Sequence, residues 1–204
     1  MRKLIILSLF LLSFQQLLAQ DDLDKYLLKD PEPTEYRQAG VAFSVVELGT
    51  GIGGFYSIPL QHFFHVGIQA DVFLLRDENQ IDLIDPWTGI PVTINKVNNA
   101  YLSDVTISLK KRLLAYKIDD SLRPFVAVGG GPMYGINFPE DKRKKDEFRW
   151  AWNVFGAAGV DIAMESQYFL GLRLQYRVIK FFENFTGKKD HSTFDVRIEI
   201  GKFF

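Results

Sequence analysis

Residues 168–182, "YFLGLRLQYRVIKFF", alternate polar and apolar side chains with a period of two. Arg173, Gln175 and Arg177 occupy every second position, and leucine, tyrosine and valine stand between them. A helix would mix these two sets on its surface, whereas an extended strand places them on opposite faces. The stretch therefore predicts a long β-strand with one apolar face and one charged face.

Seven further segments show the same alternation and predict further strands. They are residues 38–48, 49–58, 63–75, 101–114, 123–136, 150–163 and 193–204. The first two are interpreted either as separate strands around a tight turn at Gly49–Gly51 or as a single bent strand. Further along, Gly129–Gly131 followed by Pro132 indicate a bulge or bend. Because helical spacing does not persist anywhere, the predicted fold class is all-β, with eight strands.

The connections between these segments alternate in length and polarity. Three are short, at residues 57–61, 116–123 and 164–168, and three are longer and very polar, at residues 76–99, 139–149 and 183–192. The first turn is the exception, because it is short on the side where the others are long. Inside the longest connection, "DPWTG" predicts the turn of a projecting hairpin. Such alternation is typical of antiparallel strands that run up and down between two different rims.

The N-terminus has the layout of a secretory signal peptide, with a basic start, an apolar core and Ala19 before an acidic stretch. Its apolar run is about a dozen residues, fewer than the roughly 20 that a spanning helix needs. Residues 20–37 are polar and contain two prolines, which predicts a flexible periplasmic lead-in. The predicted organisation is therefore a signal peptide at 1–19, this lead-in, and one β-domain at 38–204.

Alternation alone does not identify the inward face. In a soluble barrel of the lipocalin kind the apolar face lines the interior, whereas in an outer-membrane barrel it contacts lipid. Strands of about 10 to 14 residues satisfy the 9–11 that a tilted spanning strand needs, and aromatic side chains gather near strand ends. These features favour an eight-stranded antiparallel up-and-down transmembrane β-barrel. The predicted interfacial girdles are Tyr56, Phe64, Tyr168 and Phe204 at one rim, and Tyr101, Tyr134, Trp150 and Trp152 at the other.

The last predicted strand ends on an aromatic residue that follows apolar residues at alternate positions. With the signal peptide and the amphipathic strands, "FDVRIEIGKFF" resembles the small outer-membrane β-barrel proteins, the OmpA/OmpX/OmpW-like group and the Bacteroidetes-type outer-membrane β-barrel proteins. The resemblance implies a cell outer-membrane location, and an architecture rather than an activity. It also implies that the barrel-assembly machinery recognises Val196, Ile198, Ile200 and Phe204, although Lys202 departs from the family pattern.

The charged face supplies five acids and five bases. The residues predicted to form a lumen charge network are Asp71, Asp104, Lys110, Arg112, Asp161, Arg173, Arg177, Asp195, Arg197 and Glu199. An eight-stranded barrel is just wide enough for side chains to fill, and charges removed from water need partners. The balance therefore predicts a self-neutralising plug of ion pairs. A narrow porin-like pore for small solutes and a soluble, lipocalin-like periplasmic barrel that binds an apolar ligand stay open as alternatives.

Composition argues against several classes of function. The net charge of -1 gives no reason to expect nucleic acid, and the absence of cysteine removes disulfides, thiolate metal sites and cysteine nucleophiles. His62, His65 and His191 do not join a serine in a nucleophile motif, so no enzyme, cofactor or metal is predicted. The predicted role is structural, or surface interaction through the extracellular loops at 76–98 and 139–149. The predicted partners are outer-membrane lipid, lipopolysaccharide, the barrel-assembly machinery and an unidentified surface or envelope protein.

Overall fold

The computed structural model describes residues 35–47, 49–77, 80–84, 86–94, 97–118, 121–141, 143–164 and 167–204. The predicted signal peptide lies outside these ranges, and so does the predicted lead-in except for its last three residues. Within the described part of the chain, no helix is long and apolar enough to cross a membrane.

Eleven strands follow one another in the described ranges, and eight of them form the wall of a barrel. The wall strands are β1 (Gln38–Val46), β2 (Gly49–Pro59), β3 (Phe64–Leu75), β6 (Asn98–Arg112), β7 (Leu122–Pro139), β8 (Glu147–Ala163), β9 (Tyr168–Phe185) and β11 (Thr193–Phe203). Outside the wall, β4 (Ile81–Ile84) and β5 (Pro91–Ile94) form a hairpin around the predicted "DPWTG" turn. The short β10 (Lys188–Asp190) pairs with β9.

The sheet closes on itself because β9 pairs with both β8 and β11. All neighbouring wall strands are antiparallel, and β11 pairs with β1. A row of directly opposed residues that starts at Tyr168 crosses all eight strands and returns to β9 at Val178, ten residues farther along. This stagger corresponds to a strand tilt of about 40°. The predicted eight-stranded antiparallel up-and-down barrel is confirmed.

The two ends of the barrel differ in their connections. At the loop end lie the connections at 76–97, 140–146 and 186–192, together with the short turn between β1 and β2. At the terminal end lie both described chain ends and the connections at 60–63, 113–121 and 164–167. There the backbones of Arg37 and Phe204 exchange two hydrogen bonds, at 3.1 and 3.0 Å.

The first two segments form separate strands, but the predicted turn at Gly49–Gly51 is wrong. Glu47 lies in a turn, and Gly49 already belongs to β2. The glycines at alternate positions of β2 face the lumen, where a Cβ at Gly53 would lie 1.8 Å from Asp71 Oδ1. They make room for large side chains of β3, so a glycine pattern that suggests a turn serves packing here.

Of the bulge or bend predicted at Gly129–Gly131, the bulge is wrong, because β7 keeps one register with each neighbouring strand. Its pairing with β6 is absent at Gly131 and Pro132 and resumes in the same register. Strand β7 runs for 18 residues, and its register with β8 continues from Leu122 to Asn137 without a shift. A Cβ at Gly129 would lie 2.6 Å from the ring of Phe155 inside the barrel. Gly129 therefore accommodates a bulky lumen side chain, whereas a Cβ at Gly131 would lie 2.0 Å from the backbone oxygen of Val105 on β6.

The charged face of the wall lies inside the barrel. Arg197 and Asp195 are fully buried, whereas Ile52 and Ile107 on the outer face are 68% and 66% exposed. Apolar side chains avoid water, so a soluble barrel would have the opposite arrangement. The outer surface is therefore suited to contact with lipid.

Candidate functional site

Arg177, on β9, lies at the centre of the largest ion-pair cluster in the lumen. Its guanidinium reaches three carboxylates on three other strands, Asp104 at 2.6 Å, Asp195 at 3.0 Å and Asp71 at 3.2 Å. Asn153 donates a further hydrogen bond to Asp104 at 2.6 Å. All five side chains are buried. One cation therefore links strands around most of the circumference.

A second part of the cluster extends from Asp71 toward the terminal end. Arg197 contacts Asp71 at 2.7 Å and Glu199 at 2.9 Å, and Arg173 contacts the same oxygen of Glu199 at 2.9 Å. Three arginines and four acids are thereby joined in one network. Buried charges require such pairing, because each unpaired ion would cost several kcal/mol.

All ten residues of the predicted charge network lie inside the barrel, but they form three groups. Seven belong to the cluster around Arg177 and Arg197. Lys110 pairs with Asp161 and also donates to Gln38 Oε1 at 3.2 Å. Arg112 lies at the terminal end. In the described ranges, no group of three or more histidines and acids could hold a metal ion.

Glu35 enters the terminal end of the lumen from the last residues of the predicted lead-in. Its Oε1 accepts a hydrogen bond from Arg112 Nη1 at 2.9 Å, and its Oε2 lies 3.2 Å from His65 Nε2. Burial alone would raise the pKa of Glu35, but His65 and Arg112 outweigh burial and hold that pKa below its usual value. Sequence reasoning missed this contact, because a single acid in a polar stretch carries no pattern.

Toward the loop end, the lumen side chains change from charged to apolar. The resulting buried cluster consists of Val46, Phe73, Ala100, Leu102, Met133, Ala151, Ile179, Phe181 and Phe185. Beside it lies a cavity of about 560 Å³ that also touches Arg177. Sequence reasoning missed this layer as well. The available signal was that "DVFLL" and "VIKFF" place apolar residues on both faces of their strands.

The predicted girdle residues lie on the outer face near the two rims. At the terminal end, Tyr168 and Tyr56 lie on one row of opposed residues, and Lys202 Nζ lies 5.9 Å from the Tyr168 ring. At the loop end, the rings of Tyr134 and Trp150 are 4.8 Å apart. The rims are roughly 30 Å apart along the axis, since Trp152 pairs with a residue twelve positions beyond Tyr168 on a tilted strand.

The C-terminal residues implied as an assembly signal all lie on the outer face. Ile198, Ile200 and Phe204 are exposed there, while Val196 on the same strand is half-buried. Phe203 points inward instead and stacks on Phe169, with ring centroids 4.7 Å apart. The terminal aromatic side chain is therefore accessible from outside the barrel.

Comparisons with known proteins identify this architecture by shape. The sequence matches no protein-family model and no curated protein. Neisserial surface protein A is similar in structure, with a TM-score of 0.58 at 11% identity over 83% of this chain and 96% of that one. The N-terminal β-barrel domain of Pseudomonas aeruginosa OprF gives 0.52 at 11% identity, over 82% and 96% of the two chains. The outer membrane protein OprG from Pseudomonas aeruginosa gives 0.50 at 13%, over 82% and 94%. The chain therefore has the fold of the small eight-stranded outer-membrane β-barrels, as the resemblance of its strands and C-terminus predicted.

Proposed function

We propose that this protein is exported by its N-terminal signal peptide and resides in a bacterial outer membrane as an integral barrel. The loop end faces the outside and the terminal end faces the periplasm. The exposed apolar wall between two aromatic rims supports the membrane location, since the lipid-facing band of such barrels is about 25 Å tall. The longer connections at the loop end support the orientation, because such barrels have short periplasmic turns and longer extracellular loops. Lipid and lipopolysaccharide surround the wall, and the barrel-assembly machinery recognises the exposed C-terminal strand.

The barrel acts as a closed platform for surface interaction and not as a pore. The observation that carries this proposal is the contact of Arg177 with three carboxylates from three other strands, all of them buried. An open channel needs a continuous water-filled path, whereas these side chains occupy the middle of the lumen. Solute passage would require several buried ion pairs to separate. The activity therefore belongs to the loop end, where the long connections are.

Two measurements test this proposal. In a denaturing gel, the membrane fraction should migrate faster unheated than after boiling, because the folded barrel resists the detergent. In planar lipid bilayers, the purified folded protein should give no conductance steps under conditions in which an open porin does. Release by osmotic shock without a heat-dependent shift would contradict the membrane location. Reproducible conductance by the wild-type protein would contradict the closed lumen.

A further inference from the structure

The loop end contains a cavity of about 560 Å³ whose inner part has apolar walls. Val46, Phe73, Leu102 and Ile179 line it from four different strands. On each of these four strands, the next lumen position toward the middle of the barrel is polar, namely Ser44, Asp71, Asp104 and Arg177. Apolar side chains at a mouth that opens to water gain nothing from hydration, so their concentration here favours an apolar occupant.

The floor of the cavity is sealed. Arg177 lies at its base, and the three ion pairs of this residue close the lumen beneath it. A molecule that enters from the loop end therefore stops above the charged cluster. The cavity has the size of small-molecule pockets, which span roughly 300–1,000 Å³.

The connection after β9 forms one side of the cavity. His191 packs edge-on against Phe181, with centroids 5.0 Å apart, and its Nε2 lies 3.0 Å from Thr186 Oγ1. Across the mouth, the backbone N–H of Glu47 donates to Thr193 Oγ1 at 3.3 Å. These contacts hold the connection beside the first turn. The cavity thus has a defined wall between its apolar inner part and the exterior.

The rim of the cavity carries charges of both signs, including Glu47, Asp77 and Lys188. We propose that the cavity binds the apolar part of a small amphiphile, whose polar head stays at this mixed rim. Affinity comes from the apolar part, because the rim presents no excess of one sign. A molecule bound in this cavity does not pass through the barrel. This inference rests on the proposed function in one respect: the outward orientation of the loop end determines that the ligand arrives from outside the cell.

The test uses the full mature chain, methyl-labelled at isoleucine, in phosphatidylcholine nanodiscs. Ile179 lines the cavity and Ile107 faces lipid, so their methyl resonances report pocket binding and bilayer partition separately. Sodium decanoate is the probe. We expect a saturable shift of the Ile179 methyl and only a small, linear shift of the Ile107 methyl. Equal, non-saturating shifts at both residues would mean partition into lipid alone and would overturn the inference.

Two sources could supply the amphiphile, namely the aqueous phase and the membrane. Decanoate added to plain discs tests a dissolved ligand. Discs made with lipopolysaccharide, without any added probe, test a membrane lipid through the same Ile179 methyl. In either arm, a shift of the Ile179 methyl that the Ile107 methyl does not share supports the cavity as a binding site and names its source, and the absence of such a shift in both arms contradicts it. Because conductance is measured separately, failure of this inference and failure of the closed lumen are distinguishable.

Substitutions then locate the bound molecule. Ala100→Trp fills the cavity from β6 and should weaken decanoate binding by about tenfold or more. Val105→Trp, on the outer face of the same strand, is the matched control and should leave the affinity unchanged. Val46→Thr keeps the volume of the side chain but adds a hydroxyl to the apolar wall of the cavity. This second variant should lower the affinity for decanoate severalfold. Each variant is first checked for the heat-dependent gel shift. Wild-type affinity in folded Ala100→Trp and Val46→Thr would overturn the inference.

Discussion

Arg177 and Asp104 form an ion pair inside the lumen, with Nη1 2.6 Å from Oδ2, although 73 residues separate them in the chain. The same guanidinium also holds Asp71 and Asp195. The three acids come from β3, β6 and β11, so their negative charges converge only because the barrel closes. Without the arginine, three buried carboxylates would face one another. The stability of the barrel therefore depends on this residue more than on any single rim charge.

Replacement of Arg177 by methionine should destabilise the folded barrel by about 3–5 kcal/mol, because it leaves buried carboxylates without their cation. The measurement is urea-induced unfolding in lipid vesicles, followed by gel mobility. Arg149→Met is the matched control. Arg149 pairs with the exposed Glu183 at 3.1 Å, and a pair of that kind contributes about 0–1 kcal/mol. Equal losses in the two variants would show that the lumen network does not stabilise the barrel.

The faces of the strands could be predicted from sequence because a period of two is a local property. Arg173, Gln175 and Arg177 share one face of β9 whatever lies next to them, so the alternation separates the charged face from the apolar face. The strand lengths and the aromatic residues near the strand ends then favour the charged face as the lumen. The partners could not be predicted in the same way. Arg177 and Asp71 are 106 residues apart, and their contact depends on the stagger of all eight strands. The same limit explains why the cavity at the loop end was missed, since its apolar side chains come from four different strands.

Glycine patterns misled the sequence reasoning for a different physical reason. A glycine indicates a turn when its backbone needs a positive φ, but a glycine in a strand can also remove a side chain that would collide. Gly53 and Gly129 belong to the second kind, since an added Cβ would meet Asp71 or Phe155. Sequence alone does not distinguish the two uses. The side chain that lies opposite on the neighbouring strand determines whether a strand glycine is needed to avoid a collision.

Gly53→Ala should therefore destabilise the barrel by at least about 1–3 kcal/mol, because the new methyl group displaces the Asp71 carboxylate from its arginines. Gly54→Ala provides the control at the next position. Its Cβ would approach nothing closer than 3.6 Å, on the outer face, so its stability should stay equal or increase slightly. Urea unfolding of both variants in vesicles measures the difference. A loss in Gly54→Ala as large as that in Gly53→Ala would contradict the assigned packing.

Leu172→Arg should impair membrane assembly, because it places a charge on the apolar outer face near the middle of β9. Leu172 is 45% exposed on that face, and an arginine at mid-membrane costs about 2–4 kcal/mol. Phe182→Arg is the depth control. It lies on the same strand at the loop-end rim, where the cost falls to about 0–1 kcal/mol. The fraction of each variant that shows a heat-dependent shift is the readout. Equal fractions would contradict the placement of Leu172 at mid-membrane and of Phe182 at the rim.

Glu35→Gln should remove a contribution to stability that depends on pH. The pKa of Glu35 in the folded protein lies below its value of about 4.5 in the unfolded chain. The carboxylate therefore stabilises the fold above the unfolded pKa, and that contribution is lost as the pH falls through the folded pKa. At pH 7, the expected loss in Glu35→Gln is about 2 kcal/mol, because the carboxylate accepts a hydrogen bond from the charged guanidinium of Arg112.

The free energy of unfolding of wild-type protein and Glu35→Gln, measured in vesicles from pH 7 to pH 3, tests this dependence. The gap between the two curves should be full at pH 6 to 7 and should narrow as the pH falls through the folded pKa of Glu35, which lies below 4.5. Glu183→Gln is the control, because Glu183 pairs with Arg149 at the exposed rim. Its curve should follow the wild type throughout. If the difference in free energy of unfolding between wild type and Glu35→Gln does not change with pH, the Glu35 side chain stabilises the terminal end through packing and not through its charge.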